Sequence, residues 1–173
     1  VQQRFRAKQL HTARQNHAPS LGEEEIVWGD KVLVTRNGRR DGWDGKRKAK
    51  VEEYLANGEI GVACSAQGDA KFKFLNVALA HRPDARFGFA TWSFGGDSAP
   101  LELAYALTVH KAQGSEFRTV FVVLPKRCRI LSRELLYTAL TRSRDRMVLL
   151  VEGSDASGLF EWAKPENSET ARR

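Results

Sequence analysis

The sequence predicts an α/β fold in which a parallel sheet is accompanied by a small antiparallel β-barrel. Two observations carry this prediction. After Pro100 the pattern becomes strand, helix, strand, helix, strand, and the later strands are continuously apolar, as strands of a covered parallel sheet are. Across residues 27–96 several short alternating segments follow one another at close spacing with Gly-rich turns between them, the pattern of a small all-β barrel.

Taken in order, residues 1–17 place Phe5 and Leu10 among Arg, Gln and Ala and predict a helix ended by Pro19. Ser20 to Glu25 is an acidic connection. Lys31 to Thr35 is rich in β-branched residues and reads as a strand. Arg36 to Lys50 has three glycines and seven basic residues against two aspartates, a net +5, and reads as a mobile loop. Asn57-Gly58 signals a turn before a strand at Glu59 to Cys64. Lys71 to Leu75, extended through Val77 to Ala80, and Arg86 to Phe94 alternate again, and Gly95 to Ser98 breaks the pattern. A strand is expected over Leu101 to Thr108, a short helical turn over Val109 to Gln113, and a buried strand over Thr119 to Leu124. Ser132 caps a helix expected to reach about Arg144, with Leu135, Leu136, Ala139 and Leu140 on one face. Met147 to Val151 is the last buried strand, and a polar, frayed tail follows from Ser154.

Composition narrows the function classes. A hydrophobic fraction of 42% is enough for a core, and a net charge of +7 points to an anionic partner, nucleic acid being the commonest, or to a merely lysine-rich surface. Cys64 and Cys128 have no CxxC spacing, and His11, His17, His81 and His110 are scattered, so neither a zinc site nor a disulfide framework is expected. No apolar run reaches the roughly 18 residues that span a bilayer, and no signal peptide is visible, so no membrane partner and a cytoplasmic location are expected. The chain opens on Val1 within a predicted helix, which reads as a piece of a longer protein.

Two segments concentrate polar residues where a ligand is met: Thr108-Val-His-Lys-Ala-Gln-Gly-Ser-Glu-Phe117 and Tyr137-Thr-Ala-Leu-Thr-Arg-Ser-Arg144. Gly114 lies at a sharp turn, where a missing side chain lets a phosphate approach the backbone. Glu116 can accept hydrogen bonds from ribose hydroxyls, orient a basic partner, or be a plain surface carboxylate. Arg142 lies four residues after Thr138 beside the apolar helix face, where its planar guanidinium can grip phosphate oxygens with two parallel donors or pair with an acid such as Asp145. The basic stretch, with Arg39, Arg40, Lys46, Arg47, Lys48 and Lys50, is either a DNA contact or a charged loop without a ligand.

Together the two segments resemble the fifth and sixth motifs of superfamily 1 DNA helicases, in the RecD-like branch. The resemblance implies a partial RecA-like domain of the P-loop NTPase type. It makes Arg142 the arginine finger on the γ-phosphate and assigns Glu116 to the ribose, with Gly114 beside the nucleotide. It sets Thr108 and His110 near the DNA backbone and Gln113 between nucleotide and DNA; Lys111 is either a phosphate contact or simply exposed. Gly29 to Asn37, followed by Asn57 to Gly61, is similar to the opening of the SH3-like barrel inserted in the second RecA-like domain of that family. The implied partition is 1–26 as leading helix and connection, 27–98 as the inserted SH3-like β subdomain, 99–153 as the remainder of the RecA-like domain, and 154–173 as tail. The implied cofactor is ATP with Mg2+, and the implied partners are single-stranded DNA and an N-terminal RecA-like domain of the same protein. No GxxxxGK[ST] occurs in the 173 residues, and no strand ends in paired acids for magnesium, so the chain alone is expected to be inactive. The alternative expectation is a non-enzymatic nucleic-acid-binding module with relic helicase motifs.

Overall fold

The computed structural model describes residues 2–15, 20–67, 74–95, 99–125, 131–153 and 163–168. The chain forms two compact units, Val1–Leu107 and Thr108–Arg173. Among the described residues no helix is long and apolar enough to cross a membrane.

The first unit begins with helix α1, Gln2–Gln15, followed by seven strands: β1 Lys31–Val34, β2 Gly38–Asp44, β3 Ala49–Leu55, β4 Ile60–Gln67, β5 Phe74–Leu79, β6 Arg82–Ala90 and β7 Leu101–Leu103. They build one sheet in the order β3-β2-β6-β5-β4-β1-β7, antiparallel throughout. Alternation sorts the side chains: Leu75, Val77 and Leu79 of β5 and Ala85, Phe87 and Phe89 of β6 enter a core with Val32, Val34, Leu55, Ala63, Leu101 and Leu103. The outer strands are β3 and β7. Among the described residues no ladder joins them, so the sheet is open rather than the closed barrel expected. A 3-10 turn, Thr91–Phe94, takes over where the last strand residues were expected. Of the strand expected at Lys71 to Leu75, residues 71–73 lie outside the described residues.

One expectation is corrected outright. Arg36 to Lys50, read as a mobile loop, is mostly β-hairpin: β2 and β3 pair over seven residues, from Gly38↔Leu55 to Asp44↔Ala49. The carboxylate of Asp44 closes the turn by accepting the N–H groups of Lys46 (3.0 Å) and Arg47 (2.9 Å). Strand stability here comes from cross-strand partners, which a run of charged residues does not reveal.

The second unit contains β8, Phe117–Leu124, helix α2, Arg133–Leu140, and β9, Ser143–Val151. The two strands pair in parallel, with Val122↔Leu149 and Leu124↔Val151 in register, around a strand–helix–strand crossover. Val122, Leu124, Leu131, Leu136 and Ala139 form its core. Ser132 caps α2 as expected, accepting the N–H of Leu135 at 3.1 Å. The helix stops at Leu140, not near Arg144, because residues from Ser143 onward must extend to meet Phe117 in the ladder. One strand expectation shrinks, and the two strands expected to be buried are longer than expected but largely uncovered, β9 having no fully buried residue. The strand beginning at Leu101 ends at Leu103, and β8 is buried on one face only, with Phe121 64% and Val123 69% exposed. Of the tail from Ser154, residues 163–168 are described, with a 3-10 turn at Pro165–Asn167.

Candidate functional site

Residues 108–116 form a chain of tight turns. The Thr108 carbonyl accepts the N–H of Ala112 (3.1 Å), that of His110 accepts Gln113 (3.2 Å), and that of Ala112 accepts Ser115 (3.1 Å). The Thr108 hydroxyl also faces the Lys111 N–H at 3.4 Å. The helical turn expected at Val109 to Gln113 is thus this hydrogen-bonded turn. Val109 packs on the core of its unit, while His110, Lys111, Gln113, Gly114 and Glu116 are exposed. Gly114 has φ +84°, a left-handed conformation that L side chains rarely adopt, and a Cβ placed there would meet nothing within 4 Å. The need for glycine is therefore conformational, and it leaves the backbone open on that side.

Arg142 lies just past the end of α2, and its guanidinium is pinned in three places. Nε donates to the Thr138 carbonyl (3.0 Å), Nη1 to the Ser115 carbonyl (3.2 Å), and Nη2 to the Thr141 hydroxyl (3.0 Å). Its own carbonyl accepts the N–H of Phe117 at 2.8 Å. Backbone and side chain together join the two polar segments, although Ser115 and Arg142 are 27 residues apart. Three of five N–H donors are engaged in these bonds, which leaves guanidinium edge for an anion while the plane is held. Asp145 does not compete for it, since it accepts Arg118 Nε at 2.8 Å.

Glu116 accepts Nε of Arg144 at 2.7 Å across the start of the parallel ladder. Both side chains are more than half exposed, so the pair is worth about 0–1 kcal/mol and orients more than it stabilises. A carboxylate has about four acceptor sites, so this bond leaves room for a hydroxyl ligand.

The basic residues of the hairpin separate by face. Arg39 points outward and pairs with Glu52 at 2.8 Å. Arg40 points to the core side, its guanidinium carbon 4.0 Å from the centre of the Phe89 ring and its Nη1 bonded to the Gly88 carbonyl at 3.0 Å. Burial lowers its pKa from the ordinary arginine value. Arg47 lies at the turn with Nε 3.8 Å from the Asp44 carboxylate. The N–H groups of Arg47 and then Lys46, with the charges of Arg47 and Arg82, hold the Asp44 carboxyl below its usual range against the opposing effect of desolvation.

A buried polar cluster went unread in the sequence. Asp30, fully buried, accepts Arg6 through both oxygens (3.0 and 2.8 Å), the Val27 N–H (2.9 Å) and the Tyr105 hydroxyl (2.9 Å). Burial first, and then the hydrogen bond to Asp30, push the Tyr105 hydroxyl up to about 12. Arg6 also donates to the Glu25 carbonyl at 2.8 Å. The partners are 24 and 75 residues from Asp30, and no local pattern links them. By contrast, the hairpin had a legible signal, the Asp44-Gly45 dipeptide, outweighed by the charges around it.

The donor set here fits part of a nucleotide. Arg142 has guanidinium donors that can meet a phosphate, Gly114 an open backbone, and Glu116 a carboxylate that can accept hydroxyls. Among the described residues no group of three His, Cys, Asp or Glu stands together to hold a metal ion.

Comparison with known proteins bears on the same residues. The UvrD-like helicase C-terminal domain family matches residues 103–150, which include the whole 108–117 turn and Arg142. The chain is 58% identical over 127 residues, 73% of its length, to an ATP-dependent RecD2 DNA helicase of Deinococcus radiodurans. It is 45% identical over 138 residues to the RecBCD enzyme subunit RecD of Mycolicibacterium smegmatis, again 73% of the chain. To the RecD subunit of Haemophilus influenzae it is 30% identical over 164 residues, 88% of the chain. The chain spans only 14%, 20% and 22% of the length of these three relatives.

Proposed function

The chain belongs to the RecD-like superfamily 1 helicases as a C-terminal helicase domain, and from that premise we propose that it supplies one half of an ATP-driven motor acting on DNA. The observation that carries this reading is the guanidinium of Arg142, held against Thr138, Ser115 and Thr141 at the junction of the two motif-bearing segments. ATP, when bound with Mg2+, supplies the phosphoryl group whose transfer to water drives such a motor. This chain's part is electrostatic. Arg142 meets the charge that develops on the γ-phosphoryl oxygens, and its backbone tethers keep it from reorganising as it does so. Glu116, oriented by Arg144, holds ribose hydroxyls, and the open backbone at Gly114 admits the nucleotide. Thr108, His110 and Lys111 take the DNA backbone, and Gln113 lies between the two ligands on the same short turn. The phosphate loop and the magnesium ligands belong, in this reading, to an N-terminal RecA-like domain of the longer protein. The β8–α2–β9 crossover is then part of the second RecA-like domain, and the seven-stranded sheet corresponds to its SH3-like insertion.

The basic hairpin of β2 and β3 favours a second reading, in which the chain is a nucleic-acid-binding module without a motor. A phosphate-loop lysine upstream in the longer protein separates the two. The direct test is steady-state ATP hydrolysis by the full-length protein and its Arg142→Ala and Arg142→Lys variants, with DNA present. Alanine is expected to lower turnover by roughly 10³- to 10⁵-fold. Lysine should restore little, because an ammonium does not reproduce the planar fork. Near-normal turnover in Arg142→Ala would refute the finger assignment.

A further inference from the structure

The register of the hairpin brings together three residues that lie far apart in the sequence. Trp43 of β2 stands directly opposite Lys50 of β3 on one side and directly opposite Arg86 of β6 on the other. Directly paired residues share a face of the sheet, so the three form a row across three strands, cation–aromatic–cation, with strands about 4.8 Å apart. Trp43 is 49% exposed, and it lies on the outer face, because its neighbours Gly42 and Asp44 turn inward. Arg86 is steadied by bonds from Nη1 to the carbonyls of Pro83 and Ala85. Beyond Trp43, the turn after Asp44 adds Lys46, Arg47 and Lys48, all exposed.

We infer that the Lys50–Trp43–Arg86 row is a stacking platform for one base of a single-stranded nucleic acid, with the adjoining phosphates held by the flanking cations. An exposed indole accepts the face of any base, and cations on either side suit a polyanion that crosses the strands. The neighbouring row on the same face sets the limit of the platform. It pairs Asp41 with Glu52, and though Glu52 is bonded to Arg39, two carboxylates there repel a phosphate chain. The strand therefore leaves the sheet toward the basic turn, and the platform holds one base rather than a track. Duplex nucleic acid, whose bases are already stacked, gains only the charge contacts. The inference rests on the nucleic-acid part of the proposed function and not on its ATPase part.

The test is binding of a fluorescein-labelled oligothymidylate to the 173-residue chain by anisotropy at two salt concentrations. Compared are the wild type, Trp43→Ala, Trp43→Phe and the double variant Lys50→Ala/Arg86→Ala, each with its thermal melt. Trp43→Ala should weaken binding roughly 5- to 150-fold, the range of stacking losses on truncation, with little change in salt dependence. Trp43→Phe should retain part of the affinity. The double variant should instead flatten the salt dependence, by about 0.7 in logarithmic slope for each phosphate it no longer neutralises. Wild-type affinity in a folded Trp43→Ala would overturn the platform and leave the motor reading intact. Should alanine unfold the chain, full affinity in the folded double variant would overturn it equally. Binding of duplex as tight as single strand, insensitive to Trp43, would mean charge attraction alone and overturn it. No binding by the wild type would overturn the platform together with the basic hairpin as a DNA contact, while the Arg142 measurement would still decide the ATPase site.

Discussion

Arg6 and Arg142 are both held by several hydrogen bonds, and their surroundings give them opposite consequences. Arg6 and Asp30 are buried, and each satisfies the other's charge where water does not reach. Removing one partner strands the other, so Asp30→Ala is expected to cost about 3–5 kcal/mol, read as a lower denaturant midpoint. A loss under about 1 kcal/mol would mean that water enters the site. Arg142 is only partly buried, and its partners are two carbonyls and a hydroxyl that water can satisfy after truncation. Arg142→Ala should leave the melting temperature nearly unchanged, and a catalytic defect in it would then be chemical rather than structural. Asp44 belongs to this scale through pH. Its carboxyl is held below the usual value, chiefly by the Arg47 N–H, so its folded pKa lies under its unfolded pKa of about 3.9. The stability it contributes is present above that unfolded value and is lost as pH falls through the folded pKa. Between about pH 6 and pH 3 the urea midpoint of the wild type should fall further than that of Asp44→Asn; equal falls would remove Asp44 from the acid response.

Among the elements, β4 shows how closely the sheet is packed. Gly61 pairs with Val32 on β1 and with Leu79 on β5. A Cβ there would come 2.6 Å from the Ala78 carbonyl and 2.7 Å from Val77 Cγ1, both on β5. Backbone in the middle of a ladder yields little, so Gly61→Ala is expected to destabilise by about 1–3 kcal/mol. Gly38, at the start of β2, has nothing within 4 Å of such a Cβ, and Gly38→Ala should be nearly neutral in the same urea titration. Equal effects of the two would contradict the packing at β4. The hairpin of β2 and β3 was legible only in part. Asp44-Gly45 marked a turn, but Arg39, Arg40, Lys46, Arg47, Lys48 and Lys50 made the flanks read as solvated chain. Strands with one outer face tolerate such residues, because Arg39 finds Glu52 and Arg40 finds the Phe89 ring across the ladder. Helix α2 was legible in type and cap, since Ser132 and the Leu136–Ala139 face act locally. Its end was not, since residues 143–151 are extended by pairing with β8.

At the scale of the whole molecule, the 173 residues carry Arg142 and the 108–117 turn of the proposed ATPase site but no GxxxxGK[ST] segment. The chain by itself is therefore expected to show no ATP turnover above buffer, with or without single-stranded DNA, in a phosphate-release assay. Turnover comparable to an intact helicase would mean that the phosphate-binding half is supplied by residues within this chain. The net charge of +7 acts at this scale too, and more than half of it comes from residues 36–50.

The sequence by itself determined the kind of protein: the segments at 108–117 and 137–144, their order around a strand and a capped helix, and their resemblance to RecD-like helicases. Such features are local, set by residue type and short spacing, and survive translation from string to structure. Tertiary structure alone decided the rest. It tied Arg142 to Ser115, placed Asp30 between Arg6 and Tyr105, turned a charged stretch into a hairpin, and set Trp43 between Lys50 and Arg86. Each of these depends on residues distant in the chain, where the free energy of a hydrogen bond or a strand pair exists only after the backbone has closed the loop between them. Spacing along the sequence carries no record of that closure.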